Sequence, residues 1–392
     1  MPAVELLFTQ AEYDARLFAT RAVMADQGLD ALIVTDPSNM NWLTGYDGWS
    51  FYVHQAVVVT SAGQPWVWTR TQDMAGAYQT CWVHDAQVLT YPEEHVQNPP
   101  HHPYQTLCRH LTDMGIGGGR IGAEFDNYYF SAKCLEVLRS DLPTASIIDA
   151  TGLVNWRRAV KSDAEIALMR KAGLISAAIH QTIRDNIRIG IPKHELVAEA
   201  QRAATRGVNG IAGDYAAIQV IAPSGKEASA SHITWNDRPM VAGEATYFEI
   251  SGCHHRYHCP VSRTYFLGDP PLDIRRAEAA ILTAIEDVLS AAKPGVTCED
   301  VAQAVYDSFA RAGFSKNNRT GYPIGLSYPP DWGERTMSLR PGDTTELKEG
   351  MCFHLMPGLW TPDWGVAITE SFVVTTTGGS ALADIPREIF TS

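Results

Sequence analysis

A helix-start signal near the middle of the chain divides it into two parts and limits how it can fold. Ser162-Asp163-Ala164-Glu165 matches a capping box, in which the Ser side chain accepts from helix amides and the Glu side chain reaches back. Apolar residues then recur at helical spacing as far as Ile183. Because 392 residues exceed one ordinary hydrophobic core, we predict two domains, 1–155 and 156–392.

The first part has the pattern of an α/β domain. A helix is predicted over 9–28, where Gly28 provides a stop, followed by a buried strand over 31–35 and a turn at 36–39. The remaining predicted elements are strands at 57–60, 65–69, 121–123 and 146–149 and a helix near 131–138.

The second part combines helices with a larger number of strand-like runs, which is typical of the α+β class. Helical patterns follow the capping box and recur at 194–206 and 275–292. The strand-like runs lie at 218–222, 245–250, 262–267, 351–355 and 367–374.

Charge and cysteine content exclude several classes of function. The 44 acidic and 31 basic residues give a net charge of −13, which argues against nucleic acid or an anionic membrane as a partner. The seven cysteines are scattered without a CxxC pair, which predicts reduced thiols and a cytoplasmic location. The N-terminus lacks the pattern of a signal peptide, and no apolar run approaches the roughly 18 residues of a membrane span.

Several strings in the second part occur in the order found in one known family. They are RAVKS at 158–162, GYPIGL at 321–326, LKEGM at 347–351 and GVAITESFVV at 365–374. Together they resemble the methionine-aminopeptidase, prolidase and creatinase family. The resemblance implies a pita-bread α+β catalytic domain preceded by a smaller creatinase-type α/β domain.

Metal-dependent members of that family hold two ions with five side chains, Asp, Asp, His, Glu and Glu. The corresponding positions here are Glu249, Pro260, Tyr322, Met356 and Thr369. Hydrolytic divalent ions prefer carboxylate oxygen and imidazole nitrogen, so only Glu249 is an ordinary ligand. We therefore predict no metal and no other cofactor, as in creatinase, and a hydrolase acting on a carbon–nitrogen bond of a small molecule.

Three candidate catalytic residues follow from the resemblance. Glu249 lies in an apolar strand at the position of the first metal Asp, where a carboxylate neutralises a cation or attacks it. His232 precedes it at the interval of the family's catalytic His and titrates near neutrality. Asp14, on the first predicted helix, is an acid for the site of a partner subunit.

Three further residues are candidates for substrate binding in the second part. Tyr322 replaces the metal His and offers a phenol, and Arg335 lies where creatinase-like enzymes hold a substrate carboxylate. Glu370 follows the last metal position by one residue, and a slip of one reverses the face of a strand. We predict that Glu370 enters the site. The hairpin CHHRYHC at 253–259 leaves two interpretations open, a metal site or solvated turn histidines.

An aromatic loop in the first part completes the predicted site. Trp49, Phe51, Tyr52 and His54 follow Gly45 and Gly48, which mark a loop whose rings stack on a planar cation. In creatinase-like dimers this loop enters the partner's active site. The segments 29–54 and 125–132 resemble, within that family, the enzymes that open a cyclic amidine bearing a carboxylate. The resemblance implies such a substrate and a homodimer with shared sites.

Two other functions remain open at this point. One is a metal-dependent member, either an Xaa-Pro peptidase or a lyase of a sulfonium osmolyte, whose ions the hairpin histidines and Glu370 would hold. The other is a binding module without catalysis, in which His232 and Glu249 would have no reason to converge.

Overall fold

The computed structural model describes residues 4–50 and 52–391 as two compact units, the first ending at Arg158 and the second beginning at Ala159. The helices of the first unit are α1 (Gln10–Asp26), α2 (Pro37–Thr44), α3 (Met74–Thr80), α4 (Pro103–Asp113), α5 (Ala132–Asp141) and α6 (Leu153–Arg158). Its strands are β1 (Ala31–Val34), β2 (Ala56–Thr60), β3 (Trp66–Arg70), β4 (Val88–Tyr91), β5 (Arg120–Ala123) and β6 (Ser146–Asp149).

The first unit is built around one mixed sheet with the strand order β4-β3-β2-β1-β5-β6. β1 pairs antiparallel with β2 and parallel with β5, so it lies in the interior of the sheet. Every residue of β1 is buried, as expected for a short apolar run of Ala, Leu, Ile and Val. Residues of α4 and α5 pack on this sheet and form its main hydrophobic cluster.

The predicted turn at 36–39 is wrong, because this segment begins α2. The Asp36 side chain caps the helix by accepting from the Ser38 amide at 2.8 Å, and Pro37 occupies the first turn. Proline is well suited there, since its missing N–H would have no helical partner. Gly45, with φ 78°, ends the helix in the left-handed conformation.

The second unit contains four helices and nine strands among the described residues. The helices are α7 (Asp163–Asn186), α8 (Lys193–Arg206), α9 (Leu272–Ala291) and α10 (Cys298–Arg311). The strands are β7 (Ala245–His254), β8 (Tyr257–Phe266), β9 (Gly321–Pro323), β10 (Cys352–Leu355), β11 (Leu359–Trp360), β12 (Gly365–Val366), β13 (Glu370–Thr375), β14 (Gly378–Ala381) and β15 (Phe390–Thr391).

The capping box predicted from the sequence is present at the start of α7. Ser162 Oγ accepts from the Glu165 amide at 3.2 Å, and the Glu165 carboxylate accepts from the Ser162 amide at 3.0 Å. The helix buries Ile175 and Ile179 in a cluster that also contains Phe248 and Ile250 of β7. α7 therefore covers one face of the β7–β8 hairpin and leaves the other face for polar residues.

Strands β13, β10 and β9 form a second layer with β14, in the order β14-β13-β10-β9. Phe353 and Phe372 of this sheet belong to the cluster that α9 and α10 build. The predicted strand at 218–222 is wrong, because this segment meets β7 only at single bridges. Ile221 exchanges two backbone hydrogen bonds with Glu249, at 3.0 and 3.1 Å, without a continuous ladder.

None of the helices in the described part of the chain has the length and apolar character needed to cross a membrane.

Candidate active site

The register of the β7–β8 hairpin places a carboxylate and a hydroxyl side by side. Glu249 of β7 pairs directly with Ser262 of β8, so the two side chains share one face of the hairpin with Cβ atoms about 5 Å apart. Phe248 and Arg263, one residue away on each strand, point to the opposite face. Glu249 is only 5% exposed and Ser262 is fully buried.

Neither polar group has a side-chain partner among the described residues. The Ser262 hydroxyl is buried without a hydrogen bond. No hydrogen bond or ion pair of the Glu249 carboxylate occurs in the described part of the chain, and burial alone raises its pKa from 4.5 to about 7. Buried polar groups are rarely left unsatisfied, and exceptions concentrate at functional sites. We take this pair as the centre of the candidate site.

A chain of hydrogen bonds runs beside this pair through His354 of β10. The His354 ring bonds the Tyr322 hydroxyl through Nδ1 at 3.1 Å and the Thr369 hydroxyl through Nε2 at 2.8 Å. The Trp332 indole donates to Tyr322 Oη at 2.7 Å, and the Ser262 amide donates to Thr369 Oγ1 at 2.7 Å. All of these side chains are buried.

One hydroxyl hydrogen is not used within this chain of hydrogen bonds, and the His354 tautomer decides whether Tyr322 or Thr369 carries it. Burial lowers the pKa of His354 to about 3, so the ring is neutral and carries one N–H. If Nε2 donates to Thr369, then Tyr322 donates to Nδ1 and the Thr369 hydrogen is spare. If Nδ1 donates to Tyr322, the Tyr322 hydrogen is spare. Burial, and next the nearby Glu249 carboxylate, raise the pKa of Tyr322, so this donor stays protonated close to Glu249.

A cation lies at the outer end of the same chain. The Arg319 guanidinium stacks over the Tyr322 ring, 4.5 Å from its centroid, and the side chain is exposed. Within the described part of the chain its side chain makes no hydrogen bond and no ion pair. Arg335, the predicted anion-binding residue, is also exposed and has a positive φ of 55°. Tyr322 thus lies between an anionic group, Glu249, and a cationic one, Arg319.

Glu370 does not share the face of Thr369, which corrects the prediction that it enters the site. Its carboxylate accepts from Arg387 at 2.5 Å and lies 3.8 Å from Arg263. Arg263 points away from Glu249 on β8, and neighbouring residues of an extended segment alternate in direction. Glu370 therefore belongs to a buried ion pair and not to the pair of Glu249 and Ser262.

The structure places His232 and Asp14 on surfaces. The His232 ring is exposed and its only described contact is Ser231 Oγ, 3.3 Å from Nδ1. The Tyr247 hydroxyl, on the face of Glu249, donates to the carbonyl of Ala230, so the segment that carries His232 starts at the rim of the site. Asp14 is exposed on α1 and accepts from Gln10 at 2.9 Å. These positions do not test the catalytic roles predicted for His232 and Asp14.

The predicted aromatic loop lies in the first unit. Trp49 packs edge-on against Tyr129 with ring centroids 5.6 Å apart, and the exposed Tyr52 accepts from Arg70 at 3.1 Å. The half-buried His54 approaches Cys134. Phe51 lies outside the described residues.

Comparison with known proteins gives the family. The model described as metallopeptidase family M24 matches residues 167–376, and the creatinase/prolidase N-terminal domain matches residues 16–160. The chain belongs to the creatinase/prolidase family. The predicted fold, a pita-bread α+β domain preceded by a creatinase-type α/β domain, is confirmed.

Relatives of this creatinase/prolidase chain include enzymes named for different activities. An ectoine hydrolase of Halomonas elongata is 50% identical over 397 residues, with 100% of both chains covered, which confirms the narrower resemblance noted for segments 29–54 and 125–132. An uncharacterized hydrolase/peptidase of Sinorhizobium fredii is 38% identical over 98% of both chains. The solved dipeptidase PepE of Mycobacterium ulcerans is 25% identical, covers 98% of this chain and 99% of its own, and has a TM-score of 0.79.

The residues of this family member do not fit the metal centre that the family description implies. Tyr322 and Thr369 each accept an N–H at the positions matched to metal ligands, and Pro260 and Met356 offer no hard donor. One carboxylate, Glu249, remains. The hairpin forms no group of three metal-binding side chains among the described residues. His258 accepts from the Ala217 amide and donates to the Arg256 carbonyl, both at 2.9 Å, and His254 Nδ1 lies 2.9 Å from the Ala212 carbonyl.

Sequence reasoning missed His354 and Arg319. His354 alternates with Phe353 and Leu355 in an apolar strand, and a lone polar residue in such a run signals a face that is not purely hydrophobic. Its bond to Tyr322 spans 32 residues, so only strand pairing reveals it. Arg319 lies in a polar segment whose sequence gives no signal.

The buried carboxyl of Glu249 makes the stability of the protein depend on pH. Because its pKa rises from 4.5 to about 7, the folded state holds more protons between those values, and the free energy of unfolding falls as the pH rises. The total loss is on the order of 3 kcal/mol. The Glu249→Gln variant has no such group, so its urea unfolding at about pH 5 and about pH 8 should lack this part of the difference.

Glu244→Gln is the matched control, because Glu244 precedes the same strand but is paired with Arg238 at 2.8 Å. It should keep the wild-type difference between the two pH values. Equal pH dependence in wild type and Glu249→Gln would contradict the burial argument.

Proposed function

We propose that the protein hydrolyses ectoine, opening its cyclic amidine ring to an N-acetyl-2,4-diaminobutyrate without a metal. The observation that carries the proposal is the buried Glu249 carboxylate, which has no partner among the described residues and stands beside the Ser262 hydroxyl. A cationic ligand would supply the missing counter-charge. The ectoine hydrolase that is 50% identical over the full chain supports an amidinium as that ligand.

Ectoine offers the two charges that the site can pair. Its amidinium is a planar cation, and its carboxylate is an anion on the same small ring. Glu249 would contact the amidinium, while Arg319, exposed and stacked on Tyr322, would bind the carboxylate. Arg335, suggested by the family resemblance, is the alternative anion site.

The reaction adds water across one carbon–nitrogen bond. Glu249 orients the water that attacks the amidinium carbon, or attacks that carbon itself to form an ester that water then hydrolyses, so in both cases the carbon ends bonded to the oxygen of water and the Glu249 carboxylate is released. The carbon–nitrogen bond then breaks, and the departing nitrogen takes a proton to leave as an amine. We assign that proton transfer to His232, whose segment begins at the rim of the site. Tyr322 supports the site as a neutral hydrogen-bond donor that His354 orients.

We further propose that two subunits share each site. By the family resemblance, Asp14, Trp49, Phe51, Tyr52 and His54 of one subunit would line the pocket of its partner, with the rings stacking on the amidinium. The seven cysteines, all buried and outside any disulfide, support a reducing compartment such as the cytoplasm.

Incubation with ectoine followed by proton NMR tests the proposed reaction. The ring signals should be replaced by those of an acetylated diamino acid, also after treatment with a chelator. Glu249→Ala and His232→Ala should lower kcat roughly a hundredfold or more, since each loses a reacting group.

In wild type kcat/KM should rise with pH through about 7, because the Glu249 carboxyl must lose its proton.

Glu244→Gln serves again as a control and should keep wild-type turnover. Activity that a chelator abolishes and a defined metal restores would favour the metal-dependent peptidase or lyase. No turnover of ectoine by the wild type would contradict the proposed function, and near-normal turnover by His232→Ala would remove that residue from the mechanism.

A pair of matched substitutions distinguishes whether Arg319 or Arg335 binds the substrate carboxylate. Arg319→Met should raise KM for ectoine roughly tenfold to a hundredfold with a smaller effect on kcat, because a charge-assisted hydrogen bond is lost. Arg335→Met should change KM little. The same cyclic amidine without its carboxylate should be turned over equally by wild type and Arg319→Met. The reverse pattern, in which only Arg335→Met raises KM, would assign the carboxylate to Arg335.

Shared sites predict that activity needs the dimer. Two inactive variants, Asp14→Asn and Glu249→Ala, should regain activity when mixed and allowed to exchange subunits, because some dimers then contain one intact site. Light scattering on the active fraction should give the mass of a dimer. An active monomer, or fully active Asp14→Asn, would contradict this arrangement.

A further inference from the structure

The first unit contains a cluster of soft metal ligands far along the chain from Glu249. His54, His102 and Cys134 each offer one ligand atom, and these three atoms lie within 4.8 Å of one another. It is the one such group found among the described residues. We propose that these residues bind a divalent ion of the zinc class, and that the ion anchors the end of the aromatic loop.

The distances suit a single tetrahedral ion. His54 Nδ1 lies 3.8 Å from Cys134 Sγ. Ligand bonds of about 2.1 Å for nitrogen and 2.3 Å for sulfur place two such atoms about 3.6 Å apart around zinc. The His54 and His102 rings lie next to each other, with centroids 5.0 Å apart.

Hydrogen bonds fix both imidazole rings. His102 Nδ1 accepts from the Tyr104 amide at 3.3 Å as the cap of α4, so the ring hydrogen lies on Nε2, and an ion at Nε2 would require the other tautomer and the loss of this cap. Burial lowers the pKa of His54, and a hydrogen bond from its ring to the Tyr129 carbonyl partly opposes that shift. Metal-binding histidines usually donate their second nitrogen to such a carbonyl.

The surroundings of the sulfur favour a thiolate once an ion is present. Cys134 lies in the first turn of α5, where the helix dipole stabilises negative charge. The Ser131 hydroxyl is 3.3 Å from Cys134 Sγ and can donate to it. Burial raises the pKa of the free thiol, so an ion would have to displace its proton. The ligand set of two nitrogens and one sulfur matches borderline-soft Zn²⁺ and excludes Mg²⁺ and Ca²⁺.

An adjoining cavity leaves room for a fourth ligand. It measures about 550 Å³, and its lining includes Tyr52, His54, His95, His101 and His102. A water molecule or a small anion on this side would complete the coordination. Because His54 follows Trp49 and Tyr52, an ion here would tie the end of that segment to α4 and α5. The site would be structural, and the His54 ring would then bind the ion and not stack on the substrate.

Cobalt titration of the full-length protein, freed of metal by dialysis against a chelator, tests the site. Co²⁺ takes the place of zinc and reports its ligands by absorption, including a charge-transfer band that requires a thiolate. Wild type should bind one Co²⁺ per chain with this band, and Zn²⁺ should displace it. Cys134→Ser should lose the band, and His54→Ala should weaken binding tenfold or more.

Three further variants test whether the cobalt signal comes from this site. His102→Asn removes a ligand but retains an N-cap acceptor for α4, so weaker binding with an unchanged circular dichroism spectrum would exclude misfolding as the cause. Cys81→Ser, at a buried free cysteine of the same unit, should keep the band. Glu249→Ala should keep it as well, because the ion is not at the family's catalytic position.

Absence of a thiolate band in wild type would overturn the proposal. So would a band that survives in Cys134→Ser, or one that disappears in Glu249→Ala.

Discussion

The pairing of β7 with β8 is the constraint on which the chemistry of the second unit depends. This register buries Glu249 beside Ser262 and sends Phe248 into the apolar cluster under α7. A shift of this register by one residue would turn Glu249 to the apolar face, among isoleucines, and Phe248 to the polar face. The register therefore fixes a carboxylate whose burial is unfavourable for folding, and such strain is retained where function requires it.

Replacement of metal ligands by hydroxyls changes what Glu249 can do. Beside a divalent cation a carboxylate stays ionised and acts as a ligand. Tyr322 and Thr369, joined through His354, keep the polar groups in place but supply no full charge. Glu249 is left with burial as the cause that sets its pKa, and its protonation then changes near neutral pH. In the proposed metal-free reaction Glu249 is thus a group able to react and not a ligand.

Local patterns in the sequence predicted much of the fold but only part of the site. The capping box at Ser162 and the Glu249 strand were found because each signal lies within a few residues. The start of α2 was mistaken for a turn, since Asp followed by Pro opens both structures. His354 and Arg319 reach Tyr322 through pairing and stacking, which no local pattern encodes. The prediction for Glu370 was wrong because successive side chains of an extended segment point to opposite faces.

The two clusters of polar groups differ in the kind of ion they can hold. At Glu249 there is a single hard carboxylate, and the nearby Thr369 and Tyr322 hydroxyls already accept N–H donors, whereas His54, His102 and Cys134 offer two nitrogens and a sulfur. Soft ligands select zinc-like ions, and a lone carboxylate retains none. Metal found with the purified protein is thus no evidence for metal catalysis. The informative measurement is whether substitution of Cys134 or of Glu249 removes the bound metal, because these residues lie in separate units and offer different ligand atoms.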